Sequence, residues 1–318
     1  MRKIRMASDL APIGVSTYVR LEHLQQNIAA LQKNSLAEQS ELFVFSDAPS
    51  PGDEARVAAV RSYLRTVDGF KNVCIVERKK NSRTKNNRGG LSLLLNRYGK
   101  VIFLEEDVVA TPGFLRFMNQ ALDKYEKNKK VFSVAGYCPP IEIPADYPHD
   151  VFFLKRCSAW GLGIWKDRFD SIRYITPDEY EQFSADSNRV REFVNGGGED
   201  LMVMLKADAY GKIDAGDVKA MYAQFLSDQY TVYPRKSLTS NMGFDGSGTY
   251  CFSTTRFNVA LSDQFSFSLP DDVVVDQRIV ESNRKFRAVP GYASRLMEKL
   301  LRISRRSLKM FASHLIQA

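Results

Sequence analysis

The sequence has few of the residues that build thiolate metal sites or disulfide frameworks. Its 318 residues include four cysteines, and no two of them form a C-x-x-C pair. This spacing favours neither a zinc site nor a dense set of disulfides, and it predicts a reduced, cytoplasmic chain. The three histidines, His23, His149 and His314, are isolated from one another, so nothing supports a histidine metal triad or a Ser-His-Asp arrangement.

Long hydrophobic runs are also absent. No stretch approaches the roughly 20 apolar residues of a membrane span, and the positively charged first residues are not followed by the apolar segment of a signal peptide. Hydrophobic residues nevertheless make up 44% of the chain, which is enough for a substantial core. We therefore expect a globular protein without a visible export signal or membrane span.

Positive charge is concentrated near the C-terminus. The net charge is +8, and six basic residues share one short segment: Arg295, Lys299, Arg302, Arg305, Arg306 and Lys309. Apolar residues there approximate one helical face: Leu296, Leu300, Ile303, Leu308, Phe311 and Leu315. We predict a catalytic domain over 1–265, an extension over 266–291 and a basic amphipathic helix over 292–318.

Such a helix suits an anionic membrane surface, which predicts a protein peripheral to the inner face of the plasma membrane. The alternative is a helix packed on the catalytic domain or on a second subunit, as in a homo-oligomer.

Short apolar runs alternate with helical patterns in the first half, which is typical of β-α-β units. The predicted strands are 12–16, 42–45, 73–76 and 101–104, with 131–135 and 151–154 strand-like. The predicted helices span 21–31, 57–67, 91–97, 111–125 and 199–210, the fourth with Thr111 as N-cap and Pro112 at its first position. This order predicts an α/β fold with a sheet flanked by helices.

Three consecutive carboxylates, Glu105, Glu106 and Asp107, follow the buried strand 101–104. Adjacent like charges disfavour ionisation unless a cation neutralises them, and Mg²⁺ or Mn²⁺ bridges such carboxylates to a substrate diphosphate. A solvated helix N-terminus is the competing interpretation.

Several further segments occur in a fixed order around this triplet: 12–31 with Ser46 and Asp47, 98–109, 112–115, 157–165, 197–201 and 233–249. The ordered set resembles the bacterial sugar transferases related to N-acetylglucosaminyltransferase I, and it covers roughly residues 10–255. In that family the triplet is a variant of the DxD motif, usually written E-D-D. Glu106 departs from that pattern. The resemblance implies a GT-A (Rossmann-like) mixed sheet and a nucleotide-sugar donor.

The resemblance also implies roles for individual residues on the donor side. Asp107 would be the ligand of Mn²⁺ or Mg²⁺, and Glu105 and Glu106 would orient metal water or the ribose. Asp47 lies at the height of the nucleotide base, although an Asx turn before Pro49 explains it equally well. Thr17 and Arg20, after the first strand, are further candidates for the donor pocket.

An inverting transfer needs a carboxylate that takes the proton of the acceptor hydroxyl. The resemblance places this base at Asp200, with Glu199 as the second choice. Acids at a helix start also need no catalytic explanation. Trp160, Gly161, Leu162 and Gly163 would form a wall of the sugar and acceptor pocket, or merely a packed aromatic beside a tight turn.

A basic loop over 78–88 precedes the helix that leads to the acidic strand, which makes Arg88 a candidate for diphosphate or base contact. A solvated charged loop is the alternative, and no nucleic-acid motif accompanies the charge. Residues 241–249, with several glycines, are predicted to form a mobile cover over the donor.

These patterns predict an inverting, metal-dependent hexosyl- or N-acetylhexosaminyltransferase that acts on a cell-envelope glycan or lipid-linked acceptor. A nucleotidyltransferase is disfavoured because Thr17 to Arg20 is not a glycine-rich signature loop. An inactive, membrane-docking scaffold is the alternative from another class.

Overall fold

The computed structural model describes residues 10–247 and 253–288. Within them, ten strands occur in chain order: β1 Ile13–Thr17, β2 Glu41–Ser46, β3 Asn72–Glu77, β4 Lys100–Glu105, β5 Val108–Ala110, β6 Val131–Ala135, β7 Val151–Leu154, β8 Leu162–Trp165, β9 Tyr230–Pro234 and β10 Thr239–Asn241. The α-helices of the described part are α1 Leu21–Gln32, α2 Glu54–Leu64, α3 Arg83–Tyr98, α4 Phe114–Tyr125, α5 Lys166–Phe169, α6 Pro177–Ala185, α7 Ser187–Gly197, α8 Asp200–Ala209, α9 Gly216–Leu226 and α10 Gln277–Phe286. The predicted helix 292–318 lies outside the described residues.

Eight strands form one mixed sheet in the order β3-β2-β1-β4-β8-β6-β9-β7. The first four are mutually parallel, as expected of β-α-β units. β8 then runs antiparallel between β4 and β6, and β7 runs antiparallel at the far edge. The predicted α/β fold, a mixed sheet flanked by helices, is confirmed.

Side chains alternate across the sheet, so that each strand feeds two cores. In β2, Leu42 and Val44 belong to a core shared with α1, α2 and α4. Phe43 and Phe45 belong to the opposite core, which includes α3 and the helices α5 to α9. Because both faces are covered, the parallel strands are nearly continuous apolar runs.

Residues beyond 265 pack on the same body. Phe267 contacts Phe117 of α4 edge to face at 5.0 Å, and Ile279 of α10 is buried beside Tyr233. No helix within 10–247 and 253–288 is long and apolar enough to cross a membrane.

Three predicted helix starts differ from the structure, and the first is that of α2, which begins at Glu54 rather than Val57. α3 begins at Arg83 rather than Leu91, because the Ser82 side chain accepts a hydrogen bond from the Lys85 N–H and caps the helix. Half of the predicted basic loop is therefore helical. α4 begins at Phe114, since the Thr111 N–H is used by the carbonyl of Leu238 and the chain turns before the helix.

Candidate functional site

The carboxyl ends of β1, β2 and β4 meet at one edge of the sheet. The Asp47 N–H donates to the Thr17 carbonyl at 3.0 Å, and the Glu106 N–H donates to the Ser16 carbonyl at 3.0 Å. The structure thus brings together the predicted residues of three strand ends. We call Thr17, Asp47, Glu105, Glu106 and Asp107 the acidic edge.

Arg20, just before α1, bridges two of the three acids. Its Nε donates to Glu106 Oε1 at 2.9 Å, and its Nη2 donates to Asp107 Oδ2 at 2.6 Å. Burial raises the pKa of Glu106 to about 7; the Arg20 charge opposes this shift, and the charges of Asp107 and Glu105 add to it. The protein therefore supplies one of the positive charges that the triplet requires.

Two buried oxygen atoms of the acidic edge lack hydrogen-bond partners among the described residues: Asp107 Oδ1 and Thr17 Oγ1. A buried polar atom without a partner costs free energy, so such atoms at a strand edge favour a ligand that completes them.

The described part contains no group of three His, Cys, Asp or Glu side chains arranged to hold a metal ion. Mg²⁺ is commonly held by one or two carboxylates together with substrate phosphates. Asp107 fits such a site through its partnerless Oδ1, while its Oδ2 is occupied by Arg20.

Glu105 is held by a residue of the predicted basic loop. Asn87 of α3 donates from Nδ2 to Glu105 Oε1 at 2.8 Å. Burial, and secondarily the charge of Asp107, raises the pKa of Glu105. The other predicted contact, that of Arg88, takes a different form: Arg88 donates to the Ile172 carbonyl at 3.1 Å and stacks over Phe169. Asn87 of α3 thus reaches the acidic edge, and Arg88 packs α3 on α5.

Asp47 is buried and organises the loop before α3. Both carboxylate oxygens accept from the Ser82 N–H, at 3.1 and 3.0 Å, and Oδ1 also accepts from the Ala48 N–H at 2.9 Å. Arg78 Nε lies 3.6 Å from the same carboxylate. The Asp47 carboxylate therefore already stabilises the loop before α3, and a nucleotide base would be an additional hydrogen-bond partner.

The segment 239–247 is fastened to the acidic edge. β10 pairs antiparallel with β5, and the Met242 N–H donates to the Asp107 carbonyl at 2.8 Å. A Cβ at Gly243 would lie 2.1 Å from Asp107 Oδ2. His23 Nε2 lies 3.2 Å from Asp245 Oδ2. Residues 239–247, which we call the lid segment, are thus hydrogen-bonded to the acidic edge. That they cover a donor stays a prediction, and 248–249 lie outside the described residues.

Trp160 lies beside the acidic edge. β8 pairs antiparallel with β4 with Phe103 opposite Leu162, so the residues just before Leu162 lie next to the end of β4, where the acids follow. Its ring packs against Tyr137 at 4.6 Å and against Phe244 of the lid segment at 5.4 Å. It lines an open cleft of about 90 Å³. We call this the Trp160 cleft, with the principal lining residues Tyr137, Arg156, Trp160, Asp217, Tyr233 and Arg287.

Of the four residues predicted to form a pocket wall, Trp160 lines the Trp160 cleft and the three residues after it do not. A Cβ at Gly161 would meet Phe114 at 3.0 Å, and one at Gly163 would meet Met118 at 2.8 Å. Leu162 packs against the core on the α3 side of the sheet. These three residues let β8 approach its neighbours closely and do not line the Trp160 cleft.

Asp200, the predicted base, begins α8 and forms a two-pronged ion pair with Arg156. Arg156 Nη1 donates to Asp200 Oδ1 at 2.9 Å, and Nη2 donates to Oδ2 at 2.8 Å. Arg156 is 5% exposed and also donates to the Gly197 carbonyl. Glu199 lies 3.9 Å from Arg284. Through Arg156, Asp200 is adjacent to the Trp160 cleft.

Three charged residues of the cleft were not singled out by sequence: Arg156, Asp217 and Arg287. They come from separate parts of the chain, and none of them belongs to a recognised motif. Only the packing of β7, α9 and α10 brings them together.

No family model matches the sequence, and no curated protein matches it. Solved structures do match at low similarity. S. aureus TarS is 10% identical with a TM-score of 0.39, and the match covers 72% of this chain and 36% of that one. The 1–349 form of S. aureus TarS in complex with UDP-GlcNAc is 12% identical with a TM-score of 0.41. That match covers 72% of this chain and 57% of the TarS form. The mannosyltransferase PcManGT from Pyrobaculum calidifontis, in complex with GDP-Man and Mn²⁺, is 12% identical with a TM-score of 0.37. That match covers 69% of this chain and 73% of PcManGT.

These structural neighbours are glycosyltransferases. The chain spans about a third of the full TarS chain and less than two thirds of the 1–349 form. At TM-scores below 0.5 a shared activity does not follow, and the functional proposal rests on the residues of the site.

Proposed function

We propose that this protein is an inverting glycosyltransferase that moves a sugar from a nucleotide donor, a UDP- or dTDP-sugar, to a hydroxyl of a cell-envelope glycan or lipid-linked acceptor. The observation that carries the proposal is the partnerless, buried Oδ1 of Asp107 at the carboxyl edge of the sheet. In open α/β sheets this edge is where ligands bind.

The donor diphosphate would lie against Asp107 and Arg20. When bound at Asp107 Oδ1, Mn²⁺ or Mg²⁺ would supply Lewis-acid stabilisation of the leaving diphosphate. Arg20 adds a permanent positive charge. Its side chain is 17% exposed beside the acids, and it retains N–H donors beyond those given to Glu106 and Asp107. Asn87 orients Glu105 for contact with the ribose.

The acceptor would enter the Trp160 cleft. Its hydroxyl oxygen forms the new bond to the anomeric carbon as the bond from that carbon to the diphosphate oxygen breaks, and the hydroxyl proton passes to the Asp200 carboxylate. Arg156 fixes both oxygens of Asp200 and so orients the base. The lid segment 239–247 and Trp160 exclude water from the donor sugar.

The test is a donor panel. The full chain is incubated with UDP-, dTDP- and GDP-sugars in Mn²⁺, Mg²⁺ or EDTA, and nucleoside diphosphate release is measured. A parallel incubation with nucleoside triphosphates and a sugar 1-phosphate measures pyrophosphate release. The proposal predicts slow acceptor-independent release of nucleoside diphosphate from one donor class. Pyrophosphate release would instead identify a nucleotidyltransferase, and no release or binding with any donor would overturn the proposal.

The membrane assignment is a separate part of the proposal. It rests on the basic and apolar residues of 292–318, which would hold the transferase at an anionic surface where a lipid-linked acceptor resides.

A further inference from the structure

The Trp160 cleft contains one arginine, Arg287, that forms no ion pair within the described residues. The guanidinium of Arg287 stacks on Phe286 at 4.8 Å and on Phe257 at 5.8 Å. Its Nε is buried without a hydrogen-bond partner among the described residues, and no carboxylate of the described ranges forms an ion pair with it. Arg156, in contrast, is paired with Asp200.

Burial and the nearby charge of Arg156 lower the pKa of Arg287 to about 10, although Asp200 opposes the shift. Burying a charge without a partner is costly, and the cost falls when an anion completes the site. An arginine in this position is therefore suited to a negatively charged ligand, since its planar fork matches phosphate and carboxylate.

The chain is shaped to place Arg287 there. Gly198 has φ +118°, a conformation that favours glycine, and a Cβ at this position would lie 2.5 Å from the Arg287 Cβ. The glycine run before α8 thus lets the end of α10 approach the base. Asn283, one turn before Arg287, is buried with both amide atoms lacking partners in the described part.

The remaining lining residues suit a sugar. Trp160, Tyr137 and Tyr233 supply aromatic surface, and Asp217 supplies a carboxylate whose Oδ1 accepts from the Val218 N–H at 2.9 Å. Asp217 is the cleft's other unpaired charge in the described part, and a carboxylate of this kind accepts hydrogen bonds from sugar hydroxyls.

We propose that the Trp160 cleft binds an acceptor that carries an oxyanion, a phosphate ester or a carboxylate, with Arg287 on the anion and Asp217 on a hydroxyl. This inference rests on the proposed function, because it names the chemical class of the acceptor. It identifies Arg287 as a specificity-determining residue, whereas Asp200 remains the base.

The test is calorimetry on the full chain with UDP and Mn²⁺ at saturation, so that the donor edge is occupied. Glucose 1-phosphate, glucuronate and neutral glucose are the probes, and comparison of the first two separates phosphate from carboxylate. We expect one anionic sugar to bind at least about tenfold more tightly than glucose, the gain typical of a hydrogen bond to a charged group. Arg287→Gln should remove that preference, and Arg287→Lys should keep part of it.

Arg256→Gln is the matched control. Arg256 also stacks on Phe257 and Phe286, yet it does not line the cleft. The preference should survive this change. Equal binding of charged and neutral sugars, or a preference that Arg287→Gln leaves intact, would overturn the inference. If Arg287→Gln fails to fold, Arg287→Lys decides, since an unaltered preference there would also contradict bidentate recognition.

UDP binding in a separate titration distinguishes the two proposals. UDP binding without anion preference would reject the anionic acceptor alone. An Arg287-dependent preference in a protein that binds no nucleoside diphosphate would reject the donor assignment and leave the anion site standing.

Discussion

Substitution of Gly243 by alanine should dislodge Asp107. An added Cβ would lie 2.1 Å from Asp107 Oδ2 and 3.0 Å from Arg20 Nη1. Ordinary contact begins near 3.4 Å, so one of these groups or the lid backbone must move by about 1.3 Å. Neither side is free, because the Met242 N–H is bound to the Asp107 carbonyl and the Gly243 N–H to Asn241 Oδ1.

Overpacking of this kind costs about 1–3 kcal/mol. In a domain of this size each kcal/mol lowers Tm by roughly 2–4 °C. Because the displaced carboxylate is the proposed diphosphate anchor, UDP affinity should fall at least about tenfold, equivalent to about 1.4 kcal/mol. Thermal melting and calorimetry with UDP and Mn²⁺ measure the two effects.

Gly216→Ala is the control, since a Cβ at Gly216 meets nothing within 4 Å and the residue opens α9. It should leave both Tm and UDP affinity near the wild-type values. Identical behaviour of Gly243→Ala and Gly216→Ala would refute the close contact between the lid and Asp107.

Three further changes test other parts of the account. Asp200→Asn should retain UDP binding and slow sugar transfer by about 10²-fold or more, as expected for a lost general base; transfer at the wild-type rate would move that role to Glu199. Glu106→Gln should remove a pH-dependent loss of stability. The pKa of Glu106 is raised from 4.5 to about 7 in the folded protein, so between these pH values the folded state holds a proton that the unfolded chain has released. The stability that this proton contributes is full below pH 4.5 and is lost as pH rises to 7. The free energy of unfolding in urea should differ less between pH 5 and pH 8 in Glu106→Gln than in wild-type protein, by up to about 1.4 kcal/mol per pH unit. An equal difference in both proteins would contradict the raised pKa of Glu106. Removal of residues 293–318 should abolish salt-sensitive binding to anionic liposomes while sparing donor hydrolysis; retained binding would refute the membrane role, and lost folding or oligomerisation would favour the packing alternative.

The parts of the fold that follow local pattern could be predicted. β1, β2, β3 and β4 are apolar runs broken by turn residues, and their parallel order brings the acidic edge together. The predicted α3 begins too late, at residue 91, whereas the observed helix begins at Arg83. In the structure Gly90 lies inside the helix, where a Cβ would meet the Phe45 ring at 2.8 Å.

The contacts that define the site were not local. The carboxylate triplet indicates that a positive charge lies nearby, and the sequence alone suggests a metal ion for this role. Only the packing of α1 reveals that Arg20 bridges Glu106 and Asp107. In the same way, Arg287 lies 87 positions after Asp200 in the sequence. It can pack close to Asp200 because Gly198, which lies between them, has no side chain. Single arginines carry no motif from which such a contact could be inferred.

The most direct test of the donor assignment is calorimetry of UDP with wild-type protein and Asp107→Asn, each with Mn²⁺ and with EDTA. Arg20 keeps its contact with Glu106 at 2.9 Å, so the variant should remain folded. Asp271→Asn, which removes an equally charged but 91% exposed side chain, is the control. We predict Mn²⁺-dependent UDP binding that Asp107→Asn weakens at least about tenfold and Asp271→Asn leaves unchanged. Equal UDP affinity in wild-type protein and folded Asp107→Asn would contradict the assignment of Asp107 as the diphosphate anchor.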